Sequence, residues 1–360
     1  MKQSFPKILN NLIFIFLLLL CGNKLYAQPE GYELVWHDEF DGAKLDTTKW
    51  KHRGLGPRRS GTVTKDAVSL DGEGHLLLTT TILDSSHYSV GMIGTQETFN
   101  TTFGYFECRA KFGKGVPWDS FWLQCPTAYK QGDPKDTGAE IDVFEFTGQK
   151  HSTFGYDVPS NIHWVDARND WQHWGSHKAV INDIDGYNTF AVLWTPDWYI
   201  FYVNNVFTFI ATRGVSHVDE YIILSEEPYF WKDLPDSVRN GAVVQDTFRV
   251  DYVRVYQKKP STLVENNHKR IVDNFALEQN YPNPFNPVTT IPYSIPADNF
   301  VTLKVYDMMG QEVSTLVNEQ KKAGAYTASF DATNLPSGIY YYTLVAGSLF
   351  PKTNKMLLIR

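Results

Sequence analysis

The sequence predicts an all-β protein of two units: a large antiparallel two-sheet sandwich or jelly roll, then a small immunoglobulin-like sandwich. Three observations carry this. Apolar and polar residues alternate with period two, broken by turn residues, from about residue 32 to 257, and no long amphipathic helix intervenes. A polar, patternless stretch at 258–274 reads as a linker. All ten tryptophans lie between Trp36 and Trp231, so the last third of the 360 residues has none. A hydrophobic content of 42% is enough to bury a large core, and ordinary glycine and proline contents exclude a collagen-like or mostly disordered chain. The formal charge of −7 gives the wrong field for nucleic acid or an anionic membrane.

The first segment reads as a secretory signal peptide over residues 1–27. Lys2 and Lys7 precede the apolar run Leu12 to Leu20, and Leu25-Tyr26-Ala27 offers a small residue at the cut. A membrane anchor would need about 20 apolar residues, more than this run supplies, so no stable span is expected once the signal is removed. Cys21 raises a lipoprotein alternative, but Leu20 before it is bulky where such a site needs a small residue. Only Cys108 and Cys125 then remain, too few for a disulfide scaffold.

Residues 28–257 carry the first unit. Between Thr102 and Phe112, residues Phe106, Cys108, Ala110 and Phe112 alternate with Tyr105, Glu107, Arg109 and Lys111, a half-buried strand with Cys108 inward. The same count in Phe121-Trp-Leu-Gln-Cys125 groups Phe121, Leu123 and Cys125 against Trp122 and Gln124. Both thiols therefore point into the core, and their pairing is left open. Phe190 to Trp194, Trp198 to Val203 and Val206 to Ile210 read as a meander, and Phe248 to Tyr256 as a last strand. Trp36, Trp50 and Trp194 are assigned to the core.

The second unit, 275–360, opens on Tyr281-Pro-Asn-Pro-Phe-Asn-Pro287, which no central strand or helix would tolerate. Short strands follow at Thr290–Ile295, Val301–Tyr306, Tyr326–Phe330, Ile339–Val345 and Lys355–Arg360, with glycines at the turns. It holds no Trp, no Cys and no cluster of titratable residues, the profile of an accessory module.

The chemistry-bearing segment is Gly138-Ala-Glu-Ile-Asp-Val-Phe-Glu-Phe-Thr-Gly148, with three acids inside an apolar strand. Alternation puts Glu140 and Asp142 on one face and Ile141 and Val143 in the core. Glu145 is out of phase. One extra residue in a β-bulge around Val143-Phe144 would return Glu145 to the acidic face and leave Phe146 inside. Retaining glycosidases use two carboxyls about 5–5.5 Å apart, one as nucleophile and one as acid then base. Asp142 between them would couple to both and help keep a proton on the acid. Acids on a solvated sheet face, or a calcium site, are the competing readings. Trp118, Trp122, His163 and Trp164 flank the acids, with Trp171 and Trp174 beyond, and tryptophan beside carboxylates suits a saccharide groove.

These residues resemble glycoside hydrolase family sixteen, whose bulged signature Glu-x-Asp-x-x-Glu is matched by Glu140-Ile-Asp-Val-Phe-Glu145. The resemblance extends through Leu34-Val-Trp-His-Asp-Glu-Phe-Asp-Gly42, Gly104-Tyr-Phe-Glu-Cys-Arg109, Phe121-Trp-Leu123, Trp194-Thr-Pro-Asp197 and Val250-Asp-Tyr-Val-Arg-Val-Tyr256. It implies a concanavalin A-like β-jelly roll and endo-acting, retaining hydrolysis of a β-linked polysaccharide. Glu140 would be the nucleophile, Glu145 the acid/base and Asp142 their partner, with Trp118, Trp122, His163, Trp164 and Arg109 as substrate contacts. No cofactor is required for catalysis. A structural calcium is expected at Glu39 and Asp251, with a backbone carbonyl near Gly74 as a third ligand. Laminarinase-like members carry Trp-Pro-Ala where this chain has Pro117-Trp-Asp-Ser120. The expected substrate is β-1,3-glucan, with mixed-linkage glucan or agarose as alternatives on the same fold and a non-catalytic lectin as the rival from another class.

The second unit resembles the C-terminal sorting domain of type nine secretion substrates. The resemblance rests on the 281–287 segment, Val305-Tyr-Asp-Met-Met-Gly-Gln-Glu-Val313, Ala323-Gly-Ala-Tyr326, Leu335-Pro-Ser-Gly-Ile-Tyr340 and Lys355 to Arg360. It implies export through the Sec and type nine machineries of a Gram-negative bacterium, to the medium or the cell surface. The mature enzyme is expected to be a monomer.

Overall fold

Alternating apolar residues need two layers to bury them, and the computed structural model provides these in each unit. It describes residues 31–59, 61–84, 87–115, 117–150, 155–176, 179–228, 241–259, 275–347 and 351–360. The expected signal peptide, Trp231 and most of the expected linker lie outside the described residues. Among the described residues no helix is long and apolar enough to cross a membrane.

In the first unit one layer is built around Glu140–Phe146, which pairs antiparallel with Pro117–Gln124 on one side and Ser160–Val165 on the other. Trp171–Ser176 flanks Ser160–Val165, and Tyr221–Pro228 joins Pro117–Gln124 to Tyr88–Gly94. The other layer places Gly104–Lys111 between Asn188–Trp194 and the long Val244–Lys258 strand, which also pairs with Tyr32–Asp38 and Leu76–Ile82. Tyr199–Val203 and Val206–Ala211 extend it as the meander expected from sequence.

The core lies between the layers. Phe121, Leu123, Ile141, Phe144 and Phe146 come from the first layer; Phe106, Cys108, Ala110, Phe190, Trp194 and Val253 meet them from the second. Phe112 stacks on Phe146 at 4.0 Å between centroids, directly beneath the acidic strand. Trp50 and Trp194 are buried, Trp36 packs on the core edge, and Cys108 and Cys125 are free, buried thiols.

The second unit pairs a three-stranded sheet (Ala276–Leu277, Val288–Ile295, Gly324–Asp331) with a four-stranded one (Glu312–Lys321, Asn299–Tyr306, Gly338–Ala346, Lys352–Leu358) over its own core. Glu312–Lys321 is a strand that the sequence pattern does not reveal. It lies at a sheet edge and has no fully buried residue, so little apolar alternation marks it.

Candidate active site

The register of the first layer decides which side chains share its open face. Ile141 faces Leu123 and Asp142 faces Trp122, but Phe144, not Val143, faces Phe121. The extra residue is Val143. Its insertion buries both Val143 and Phe144 and returns Glu145 to the face of Glu140 and Asp142. On the neighbouring strand His163 is opposite Glu140 and Asn161 is opposite Asp142, so both reach the same face. From Pro117–Gln124 come Trp118, Ser120, Trp122 and Gln124, while Phe121 and Leu123 turn inward.

A cleft of about 360 Å³ results. Its floor holds Glu140, Asp142 and Glu145 with Trp118 and Trp122, and one wall carries Arg53, Arg58, Arg59 and Glu227. Each carboxylate has its own partners. Glu140 Oε2 accepts from the Tyr129 hydroxyl and, at 3.2 Å, from Gln124 Nε2. Gln124 is held in turn by Arg53 at 2.8 Å and by the Tyr221 hydroxyl at 3.1 Å. Glu145 accepts from Trp118 Nε1 at 2.9 Å and from Asn161 Nδ2 at 2.8 Å, and Asn161 Oδ1 lies 3.0 Å from His173 Nε2. Asp142 Oδ2 lies 3.3 Å from His163 Nε2.

Burial shifts the titration of these groups. Asp142 is pushed well above the ordinary carboxylate range, first by desolvation and then by the charges of Glu145 and Glu140. Glu140 is raised by burial and by Glu145, against the lowering effect of the Tyr129 and Gln124 hydrogen bonds. Burial and the neighbouring His173 drive His163 down to about 4, so its contact with Asp142 is not an ion pair near pH 7, and Asp142 Oδ2 has no hydrogen bond among the described residues. The Tyr129 phenol is raised by burial and Glu140 and stays a donor. Asp142 is thus disfavoured as an anion between the two glutamates, in the pattern that separates acid and base roles in a carboxylate pair.

Glu140, Asp142 and His163 present ligand atoms within 4.8 Å of one another, a spacing a cation could use. Glu140 already takes two hydrogen bonds, and Asp142 is held toward its neutral form.

Several sequence expectations are corrected here. Trp164 is buried in the core, because His163 takes the cleft face and its neighbour in an alternating strand must turn away. Arg109 belongs to the other layer, where it pairs with Asp251 and lies over the Tyr187 ring, so it does not line the cleft. Glu39 and Asp251 do not fit a calcium site. Glu39 takes both prongs of Arg254, at 2.9 and 2.7 Å, and Asp251 takes Arg109, so guanidinium groups already supply the positive charge. Trp174 packs against the core beneath Arg213, whereas Trp171 is 56% exposed between Tyr129 and His163. Trp118 holds Glu145 and carries Arg59 on its ring face at 4.3 Å.

The sequence reading missed Tyr129, Asn161 and the three arginines. Asn161 could have been found from alternation with His163. Tyr129 and the arginines come from loops and short strands with no periodic signal.

Residues 35–258 match the GH16 domain of β-porphyranases A–D, and residues 279–360 match the secretion system C-terminal sorting domain. The chain is 29% identical over 243 residues to a keratan-sulfate endo-1,4-β-galactosidase of Sphingobacterium multivorum, covering 63% of this chain and 55% of that one. It is 26% identical over 244 residues to β-porphyranase B of Zobellia galactanivorans, covering 61% and 82%. Among solved structures, one from a study of endo-acting O-glycanases of the human gut microbiota that initiate mucin breakdown superposes with a TM-score of 0.54 at 26% identity, covering 65% of this chain and 93% of that one. The laminarinase of Flavobacterium sp. UMI-01 shares the fold, with a TM-score of 0.50 at 23% identity over 62% of this chain and all of that one.

Proposed function

Since the chain belongs to the family of the β-porphyranase A–D GH16 domain and ends in a secretion system C-terminal sorting domain, we propose that it is an exported, endo-acting, retaining hydrolase of a β-linked galactan bearing anionic groups. That it is a glycoside hydrolase, and that it is exported to the cell surface or secreted, follow from those memberships. The linkage, the sugar and the residue roles are the proposal.

Glu140 is the nucleophile. Tyr129 and Gln124 hold one of its oxygens, so the other is aimed by a fixed carboxyl plane. Glu145 protonates the leaving oxygen and then activates water, its position set by Trp118 and Asn161. Asp142 sits between them with its carboxyl pushed well above the ordinary range by burial and by both neighbours, and so couples to each. Trp122 offers a flat apolar face beside these groups.

The observation that carries the substrate class is the presence of Arg53, Arg58 and Arg59 in the lining of the cleft, Arg58 and Arg59 held by Glu227 and Arg53 by Gln124. A neutral β-1,3-glucan, the substrate expected from sequence, has no anionic group to offer these guanidinium groups. A sulfated galactan does, and guanidinium forks match such oxyanions well. The names of the keratan-sulfate galactosidase and the porphyranases agree in direction.

Reducing-end release from porphyran, keratan sulfate, agarose, laminarin and lichenan tests this, with Glu140→Ser as the inactive control. Faster release from the sulfated galactans is expected. Faster release from laminarin would overturn the substrate class, and binding without release by the wild type would leave a lectin.

A further inference from the structure

A sheet with one face on its own core normally leaves the other face to water. Gly338–Ala346 in the C-terminal unit does not. Tyr340, Tyr342 and Leu344 fill that unit's core, yet Tyr341 and Thr343, which point the opposite way, are also buried, at 3% and 2% exposure. The Tyr199–Val203 strand of the catalytic unit shows the same anomaly. Tyr199, Phe201 and Val203 enter the main core, and Ile200 and Tyr202 on the reverse side are buried as well.

The two anomalies explain each other. Tyr341 belongs to one apolar cluster with Tyr105, Ile200, Tyr202, Phe207 and Tyr256 of the catalytic unit. Phe207 packs on Tyr306 with centroids 4.4 Å apart, and Trp198 meets Tyr341 edge-on at 6.1 Å. The Lys355 ammonium lies 5.1 Å over the Trp198 ring.

We propose that the C-terminal sorting domain docks on the back layer of the catalytic sandwich through this tyrosine-rich face, so that the full chain behaves as one body rather than as two independent domains. Tyrosine suits such a contact, because it buries a large ring with few rotatable bonds and keeps a polar tip. The cleft opens on the other layer, so docking leaves substrate access unaltered. While docked, the outer face of the four-stranded sheet around Tyr306 and Tyr341 is covered. A partner that reads the sorting domain must then use its remaining surface or first undock it.

Small-angle scattering of the full chain tests the proposal, comparing wild type with Phe207→Glu on the catalytic side and Tyr306→Asp on the other. Each places a carboxylate in the aromatic contact, where an unpaired charge is costly. The wild type is expected to scatter as one compact body. Each variant should show a radius of gyration larger by several ångström, with hydrolysis within twofold of wild type as the check that the catalytic unit is folded. If either variant loses activity, Phe207→Ser replaces it, and the same expansion is expected. Wild-type scattering that requires separated domains overturns the proposal, and so does an unchanged radius in folded variants.

Discussion

Glu220 sits fully buried where the acidic strand begins, its Oε1 accepting from the Ala139 amide at 3.2 Å. Burial pushes its carboxyl up to about 8 from an ordinary 4.5, against hydrogen bonds from Ser216 and Ala139 that lower it, with Glu140 adding repulsion. A carboxyl whose folded pKa is raised binds its proton more tightly folded than unfolded. Stability therefore falls as pH rises above the unfolded value near 4.5, and the loss is complete once pH passes the folded value near 8. A difference of about 3.5 pH units corresponds to a penalty on the order of 5 kcal/mol when the group is ionised. Glu220→Gln keeps a carbonyl oxygen for the Ala139 amide and cannot ionise. Melting temperatures of both proteins, measured from pH 5 to 9, should nearly coincide at the acid end and diverge toward alkaline pH. The variant should be the more stable there, by about 5–15 °C if half or more of that penalty survives relaxation. Other buried acids move both curves together, so the difference isolates this group. Parallel curves across the range would refute the reasoning.

The site itself allows three further tests. Tyr129→Phe removes a donor that lowers the raised pKa of Glu140, so the acidic limb of the kcat/KM profile should move to higher pH, with little change in the plateau. An unmoved limb would mean that Tyr129 does not act on the nucleophile. Glu145→Ala should lose at least about a hundredfold in rate on polymers yet keep far more activity on aryl glycosides with activated leaving groups, which need less protonation; equal losses on both would reassign the acid. Arg58→Ala combined with Arg59→Ala also strips Glu227 and the Trp118 ring of their partners, so kcat should fall on any substrate, but KM should rise roughly tenfold or more on a sulfated galactan and far less on a neutral one; an equal rise on both would refute the charge pairing.

Alternation was a sufficient guide to which side chains face inward within the strands it reveals. It places Cys108, Phe121, Leu123 and Ile141 inward, and the misphased Glu145 reveals a bulge that the pairing locates at Val143. Taken one residue further, the same rule would have separated His163 from Trp164, which cannot share a face. It has no power over which layer a strand joins. Arg109 points away from the core as its strand predicts, but on the layer opposite the cleft. Glu39 and Asp251 are acids near the chain ends of the sandwich, yet two arginines reach them first.

The all-β class, the two units, the three acids and the bulge between them were therefore legible from residue type and local period, because backbone geometry alone sets which side chains share a face. Four features required the folded chain: the Tyr129 partner of Glu140, the arginines of the cleft, the upward shift of Asp142, and the aromatic contact between the units. Each depends on residues far apart in sequence that meet through strand pairing and burial, and no local pattern encodes a distance or a desolvation.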